Sequence, residues 1–232
     1  MLRRRRSFEV LTPKRGWSKV ARYQRNHGCV MLITINPDNP QMRLIRQAVE
    51  VLRGGGIVAY PTDTVYGIGC GIMDKRAIKK VHQIKRQPLD KPFSFICPGL
   101  TELSKYARVT NYAYKNLKRL LPGPYTIILE GSREVPKMML TRRKEVGIRV
   151  VNHPIVQAMV SELGYPILST SATDPEGGYY MQAWEIQEHL GHQLDMVIDG
   201  GPVPGEPSSV ISLVDDVPQV IREGAGPVEE FL

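Results

Sequence analysis

One stretch limits the possible folds of this 232-residue chain more than any other part of the sequence. It covers residues 57–71 and reads I-V-A-Y-P-T-D-T-V-Y-G-I-G-C-G. Its first four residues form a short apolar run that follows three glycines and ends at Pro61. An apolar run of this length between such residues predicts a buried strand. The flanking glycines and proline argue against a helix. The sequence therefore predicts a strand in the core of the fold.

Polar residues follow this strand at once. Thr62, Asp63, Thr64 and Tyr66 come next, and glycines then occupy every second position from Gly67. Hydroxyls and a carboxylate at the end of a buried strand suit a ligand site, because a rigid sheet holds them in place. The same residues also suit a polar turn in which threonine and aspartate hydrogen-bond their own backbone. The spacing alone leaves both interpretations open.

The net charge of +8 lies mainly in residues 1–30, which carry nine lysines and arginines and one acid, Glu9. A basic segment favours anionic partners such as nucleotides or RNA. Residues 1–30 show no apolar periodicity, so we expect a disordered basic extension there and one domain over residues 31–232. The extension suits a basic arm for RNA or a leader translated from upstream of a start at Met31. Scarce serine disfavours a transit peptide.

The three cysteines, Cys29, Cys70 and Cys97, have no C-x-x-C spacing. A disulfide framework or a zinc site is therefore disfavoured, and a reducing cytoplasm is the expected location. No apolar run approaches the length of a membrane span, so we expect no membrane partner. The five histidines are scattered, and no metal-ligand spacing stands out.

The remaining pattern alternates short apolar strands with amphipathic helices. A strand is predicted near Leu32, and a helix with apolar positions from Leu44 to Leu52 ends at Gly54. Asp74 is the predicted N-cap of a helix at residues 75–85. Further helices are predicted at 101–106, 111–121, 155–163 and 182–190, and strands at 93–97, 146–150, 196–198, 210–213 and 217–221. Residues 121–129 are predicted to be a turn that leads into a strand, and residues 166–173 a strand that breaks into a polar loop. This alternation predicts the α/β class with a largely continuous mixed sheet.

The segment Y-P-T-D-T-V-Y-G-I-G-C at residues 60–70 resembles the signature of the YrdC/YciO family, also called the threonylcarbamoyl-adenylate synthase family. The resemblance runs from about Met31 to the C-terminus. N-P-D-N-P-Q at residues 36–41 and V-I-R-E-G-A-G at residues 220–226 are similar to the YciO branch. The resemblance implies a single twisted, open, mixed-sheet α/β domain with a concave basic cleft.

The resemblance also implies a set of binding residues and assigns no catalytic side chain. The substrate-binding positions are Thr62, Thr64, Tyr66, Arg149 and Ser171, and the nucleotide-binding positions are Lys85, Arg86, Lys91, Thr173, Ser208 and Arg222. Physically, a guanidinium at a strand end can hold a carboxylate by two parallel hydrogen bonds, and loop cations can neutralise phosphates. The plain alternatives are a surface ion pair at Arg149 and a solvated charge run around Lys85.

The implied reaction joins L-threonine, bicarbonate and ATP, with Mg²⁺ on the phosphates, into threonylcarbamoyl-adenylate and pyrophosphate. The product feeds N6-threonylcarbamoyladenosine modification of tRNA. Such adenylyl transfer depends on positioning and charge neutralisation rather than on a special side chain.

Four residues depart from the family pattern. Gln87 stands where the family has a phosphate-binding arginine, and Ile96 falls close to a threonine-contacting histidine. Glu145 replaces a threonine near ATP, and Thr173 replaces an asparagine. Three functions therefore stay open. The first is a synthase, the second is a YciO-type paralogue that binds nucleotide or double-stranded RNA with little synthase activity, and the third is an RNA-binding protein that uses the basic arm.

Overall fold

The structure, a computed structural model, describes residues 20–25, 28–88 and 93–231, with side chains from Val30 onward. Eleven strands lie in these residues: β1 Val20–Arg25, β2 Gly28–Thr34, β3 Val58–Tyr60, β4 Gly67–Gly71, β5 Ser94–Ile96, β6 Tyr125–Glu130, β7 Glu145–Arg149, β8 Ile167–Ser171, β9 Met196–Asp199, β10 Ser209–Ser212 and β11 Gln219–Arg222. The six α-helices are α1 Met42–Arg53, α2 Lys75–Ile84, α3 Leu100–Tyr106, α4 Asn111–Leu120, α5 Pro154–Leu163 and α6 Ala183–Leu190.

The strands form one sheet in the order β1-β2-β9-β3-β4-β8-β5-β7-β6-β10-β11. Strand β9 pairs in parallel with both β2 and β3, whereas β4, β8 and β5 are joined by antiparallel pairs. The sheet is therefore mixed, and the predicted α/β class with a single mixed-sheet domain is confirmed. None of the described helices is long and apolar enough to cross a membrane.

Helix boundaries follow the signals in the sequence. Asp74 caps α2 as predicted, because its side chain accepts hydrogen bonds from the backbone N–H groups of Arg76 and Ala77. Helix α5 begins at Pro154, whose missing N–H would be unpaired in any case, and ends at Gly164 with φ of 83°. These two ends fix where α5 lies across the sheet.

Strand β4, G-I-G-C-G, was not predicted, because glycine is depleted in strands. Its glycines are needed for close packing instead. A side chain on Gly69 would overlap the Leu168 carbonyl oxygen and come within 2.5 Å of Tyr60 Oη. Tertiary packing therefore overrides strand propensity at this point in the chain.

The disorder expected over residues 1–30 is wrong for part of that segment. Strand β1 pairs antiparallel with β2, from Val20 opposite Ile33 to Arg25 opposite Gly28. Pairing with a sheet edge supplies hydrogen bonds to a segment that lacks apolar periodicity. The rest of residues 1–30, apart from 28–30 in β2, lies outside the described residues.

Helices cover the two faces of the sheet unequally. Helices α2, α3, α4 and α6 contribute to one apolar cluster on the first face, where Phe95, Ile127, Ile148 and Leu168 also lie. Helices α1 and α5 pack on the second face, against strand residues that include Ile33, Val58, Tyr60, Met196 and Ile198. Those residues belong to β2, β3 and β9, so the second face is covered mainly on that side of the sheet.

Candidate functional site

A cavity of about 400 Å³ lies over the less covered half of the second face. Its floor comes from strands β8, β5, β7, β6 and β10, and its rim includes the turn after β3. The lining residues are Thr62, Val65, Tyr66, Gly67, Gln87, Phe93, Ser94, Thr126, Ile128, Thr141, Glu145, Val146, Gly147, Arg149, Ser169, Thr170, Ser171, Ser208, Val210 and Arg222. Hydroxyls and small residues dominate this set.

Strand register explains why these side chains meet. Successive side chains of a strand point to opposite faces. Because Ile148 and its neighbours face the first apolar cluster, the residues that alternate with them face the cavity. One cross-strand row therefore contains Ser169, Ser94, Gly147 and Ile128. The glycine and the serines of this row have small side chains that do not fill the cavity, so a ligand can lie on the floor.

A second row carries the two arginines of the cavity. Thr126 lies beside Arg149 across β6 and β7, and Val210 connects Thr126 to Arg222 at the sheet edge. Three strand spacings separate the two arginines, about 14 Å between their Cα atoms. Two long guanidinium side chains at this separation can reach two anionic groups of one bound molecule.

Arg149 is 7% exposed, and its side chain is hydrogen-bonded through one nitrogen, Nη2. Its Nη2 donates to Asp63 Oδ1 at 2.7 Å and to Thr64 Oγ1 at 3.0 Å. The other Asp63 oxygen accepts from the backbone N–H of Asn152 at 2.8 Å. Arg149 Nε is buried and has no hydrogen-bond partner in the described part of the chain. Asp63 therefore fixes Arg149 and leaves one buried donor unpaired beside the cavity.

Burial lowers the pKa of Arg149, whereas the nearby Asp63 carboxylate raises it and the Arg222 cation lowers it further. A buried ion pair of this kind has little net charge. Arg222 supplies the less compensated positive charge. Its Nη2 donates to the Ser208 carbonyl at 2.6 Å, and Ser208 Oγ lies 2.8 Å from Thr126 Oγ1.

The turn after β3 is both a self-bonded polar turn and part of the cavity wall, the two interpretations that the sequence left open. Thr62 Oγ1 donates to the Val65 carbonyl at 2.6 Å and accepts from the Thr64 backbone N–H at 3.1 Å, as in a polar turn. The Thr62 and Thr64 hydroxyls also share a bond of 2.9 Å. Thr62 nevertheless lines the cavity, as does Tyr66, whose hydroxyl donates to the Gly201 carbonyl at 2.7 Å. Burial raises the pKa of Tyr66, so this hydroxyl stays protonated.

The predicted nucleotide-binding residues divide into two groups. Ser208 and Arg222 line the cavity, but Lys85, Arg86 and Thr173 do not. Lys85 Nζ instead donates to the Ser171 carbonyl at 2.9 Å and to Thr173 Oγ1. Arg86 is exposed, with φ of 49°, and Lys91 lies outside the described residues.

A model of the family described as Sua5_yciO_yrdC, telomere recombination, matches residues 50–224. The chain belongs to the Sua5/YciO/YrdC family. The family resemblance found in the sequence is thereby confirmed. The uncharacterized protein YciO of Escherichia coli (strain K12) is 46% identical over 201 residues, which cover 85% of this chain and 97% of YciO. The crystal structure of E. coli YciO matches with a TM-score of 0.84 and 44% identity, covering 88% of this chain and all of that one.

Relatives with a named activity are more distant. The threonylcarbamoyl-AMP synthase of Vibrio vulnificus (strain YJ016) is 33% identical over 159 residues, 67% of this chain and 86% of that synthase. The crystal structure of P. abyssi Sua5 complexed with L-threonine has a TM-score of 0.80 and 30% identity, and it covers 86% of this chain and 59% of Sua5. The Sua5/YciO/YrdC fold is therefore shared with threonine-binding and synthase members.

Two of the four departures from the Sua5/YciO/YrdC pattern line the cavity. Gln87 and Glu145 are lining residues. Ile96 is instead fully buried in the second apolar cluster, where it lies beside Arg149 in the sheet. Thr173 lies behind the cavity as the partner of Lys85. The lining residues thus contain two arginines and one glutamate, and the predicted basic character of the cleft stays a prediction.

The sequence did not identify Ser94, Thr126, Thr141, Ser169 or Thr170 as site residues, and it gave the carboxylate of Asp63 no specific role. Strand β6, Y-T-I-I-L-E, and strand β5, S-F-I, each place one hydroxyl on the cavity, Thr126 and Ser94, next to apolar residues that face the opposite side of the sheet. This alternation of polar and apolar residues was the available signal. It could be used only once strand pairing was known.

Proposed function

We propose that this Sua5/YciO/YrdC protein makes threonylcarbamoyl-adenylate from L-threonine, bicarbonate and ATP, for N6-threonylcarbamoyladenosine modification of tRNA in the cytoplasm. The observation that carries the proposal is one cavity with two arginines, Arg149 and Arg222, at the two ends of one cross-strand row. A substrate carboxylate and a nucleotide phosphate are two anions of one reaction, and this row suits both. The similarity to a Sua5 complexed with L-threonine supports it.

In the proposed reaction the threonine amine attacks the carbon of bicarbonate, and water leaves to give a carbamate. A carbamate oxygen then attacks the α-phosphorus of ATP, the bond to the β-phosphate breaks, and pyrophosphate departs. The protein positions these groups and neutralises charge. Arg149 would hold the threonine carboxylate, with Thr62, Tyr66 and Ser171 around the side chain. Thr64 would act behind Arg149, whose Nη2 it accepts from.

The nucleotide would lie toward the Arg222 end of the row. Arg222 and Ser208 would bind phosphate oxygens, since their groups face the cavity. Lys85 and Thr173 lie behind Ser171, and Lys85 would have to turn toward the phosphates when the nucleotide enters. Arg86 would add positive charge near Gln87, at the cavity wall, and Lys91 is proposed as a further nucleotide contact from the family resemblance alone.

Mg²⁺ would enter with the nucleotide. No group of three or more His, Cys, Asp or Glu side chains suited to a metal exists in residues 30–88 and 93–231. Among the described lining residues Glu145 is the one carboxylate. These residues fit a metal held chiefly by phosphate oxygens and water, with Glu145 as the candidate protein ligand. The bound metal would neutralise phosphate charge.

The alternative is a YciO-type paralogue that binds nucleotide or double-stranded RNA and has little synthase activity. Gln87 and Glu145 favour it, because they remove a cation from the cavity wall and add an anion to it. A lost charged contact costs about 1–3 kcal/mol of binding. Two such changes slow a reaction that relies on charge neutralisation by about a hundredfold or more.

The test measures pyrophosphate release with ATP, bicarbonate and threonine, with a threonine-free reaction as the control. We expect slow, threonine-dependent release by the natural protein. The double change Gln87→Arg with Thr173→Asn restores the family's phosphate and nucleotide contacts and should raise the rate about tenfold, the equivalent of one charged contact.

Two outcomes decide between the functions. Fast release by the natural protein, slowed by the double change, would exclude the paralogue. No release by either protein, with tight binding of double-stranded RNA by both, would exclude the synthase. Calorimetry with each ligand at equal protein concentration provides the binding data.

A further inference from the structure

The strongest unassigned feature of the cavity is the way Asp63 holds Arg149. Both side chains are nearly buried, with 8% of the Arg149 side chain and 10% of the Asp63 side chain exposed. Asp63 uses one oxygen for Arg149 and the other for the backbone of Asn152. It therefore ties the turn after β3 to the end of β7 and to the start of α5.

The contact with Asp63 determines which guanidinium hydrogens of Arg149 remain for a ligand. Nη2 carries two hydrogens, and these are directed to Asp63 Oδ1 and Thr64 Oγ1. A guanidinium makes two parallel hydrogen bonds to one carboxylate only through an edge that includes Nη2, either with Nη1 or with Nε. With Nη2 occupied, neither edge is open. The two-bond contact expected from the sequence is therefore not available while Asp63 holds Arg149.

The donors that remain are Nη1 and the buried Nε. The hydrogen bonds that Arg149 donates to described side chains come from Nη2, and Nε is buried without a partner among the described residues. A ligand carboxylate must then take one bond from Arg149 and its second from a neighbouring group. The next hydroxyl in the same row belongs to Thr126.

We propose that Asp63 is a positioning residue that limits the contact between Arg149 and the substrate carboxylate to one hydrogen bond and offsets most of the Arg149 charge. Affinity for the carboxylate then depends on how Arg149 is oriented more than on its net charge. This inference deepens the proposed function and rests on it for the identity of threonine as the ligand.

The orientation also depends on proton placement. Asp63 accepts at both oxygens, whereas an asparagine in its place accepts at one and donates at the other. The amide N–H would oppose either Asn152 N–H or Arg149 Nη2. The Asp63→Asn change therefore keeps the shape of the side chain and breaks one of the two contacts.

We expect Asp63→Asn to raise the KM for threonine about tenfold, with kcat and the KM for ATP changed less than twofold. Asp63→Glu is the second variant. It keeps the charge but moves the carboxylate by one methylene, so the expected rise in threonine KM is about threefold. Equal KM values for threonine in the parent and in both folded variants would overturn the proposal.

Asp195→Ala is the matched control. Asp195 Oδ2 accepts a hydrogen bond from the backbone N–H of Ile57 at 2.8 Å and does not line the cavity. It therefore loses a comparable contact to a strand without touching Arg149. We expect a lower Tm with an unchanged KM for threonine. A rise equal to that of Asp63→Asn would show that general loosening causes the effect, and the proposal would fail.

A second measurement does not depend on activity. Carbon-detected NMR resolves the two Nη nitrogens of an arginine whose Cζ–Nη rotation is hindered, and Arg149→Lys identifies the Arg149 signals by their loss. The parent should show two separate Nη signals, and Asp63→Asn should merge them. Separate signals in that variant would overturn the positioning role. A parent with separate signals and no affinity for threonine would instead contradict the proposed function and leave the positioning role supported.

Discussion

One face of the sheet has two different halves. Under α1 and α5 it presents Val58, Tyr60 and Ile198, all fully buried. Over β8, β5, β7 and β6 the same face presents Ser169, Ser94 and Thr126, which line the cavity. One hydrogen-bonded sheet extends through both halves, so the backbone does not cause the difference. What differs is whether a helix covers the side chains.

The comparison shows how one sheet serves stability and binding. Each buried apolar side chain adds about 1.5–3 kcal/mol of hydrophobic stabilisation. A hydroxyl in the open half adds little of that kind, but it can bond a ligand. The covered half therefore holds the sheet in shape, and the open half uses that shape to place Arg149 and Arg222.

The largest expected effect is a loss of unfolding free energy when the same substitution, isoleucine to alanine, is made in each half. Ile198→Ala in the covered half leaves a cavity among fully buried side chains and should cost about 2–5 kcal/mol of unfolding free energy. Ile128→Ala in the open half removes a side chain that already lines a cavity and should cost about 1 kcal/mol. Urea denaturation of both variants measures the difference. Equal losses would show that the helices do not create the division.

The next effect concerns Arg149. Replacing it by lysine keeps a charge but cannot bond Asp63, Thr64 and a ligand from one planar group. We expect threonine binding to weaken by about 1.5–3 kcal/mol, the scale for charged hydrogen bonds. Arg222→Lys is the matched control and should weaken ATP more than threonine. Calorimetry that finds parental threonine affinity in Arg149→Lys would remove Arg149 from the binding site.

Lys85 should have a smaller effect, since it lies behind the cavity in the structure described. Lys85→Ala is expected to weaken ATP by about 1–2 kcal/mol, the lower part of the range for a charged partner. Lys79→Ala, on the exposed side of α2, the helix that Lys85 follows, is the control. Unchanged ATP affinity in both would show that Lys85 does not bind the nucleotide and serves only its contacts with Ser171 and Thr173.

The smallest effect is a pH dependence at the start of α5. Burial lowers the pKa of His153, and the Asp63 carboxylate partly opposes this. The unfolded chain therefore binds a proton at a higher pH than the folded protein does. The stability from neutral His153 is present above the unfolded pKa, about 6.5, and is lost as pH falls through it toward the folded pKa. Relative to His153→Gln, the parent should lose stability from pH 7 to pH 5. Parallel curves would contradict the shift.

Most of the helices and strands were predictable from the sequence. The apolar periodicity of α1 and the cap at Asp74 gave their helices correctly, because these signals are short-range. Strand β4 was missed, since its glycines have no propensity for strands and are explained only by contacts with Tyr60 and Leu168. The edge strand β1 was missed for a similar reason, as it depends on β2.

The site was predictable as a set of residue types and not as a set of contacts. Arg149, Ser208 and Arg222 were identified and do line the cavity. Asp63 was noted as a carboxylate suited to a ligand site but received no role, because its role depends on Asn152 and Arg149, which are far away in sequence. The bond from Lys85 to Thr173 likewise joins residues 88 positions apart. Such pairings follow from strand order, which periodicity does not contain.

The position of β9 inside the sheet affects how the chain folds while it is being synthesised. Strand β9 lies between β2 and β3, yet it is synthesised about 140 residues after β3. At roughly 5–20 residues per second, the ribosome needs about 7–28 s to reach it. During that time Val58 and Tyr60 have no neighbouring strand on the β9 side. The newborn chain therefore passes through a long interval in which an unpaired apolar edge is open to other chains, and chaperone protection would matter most then.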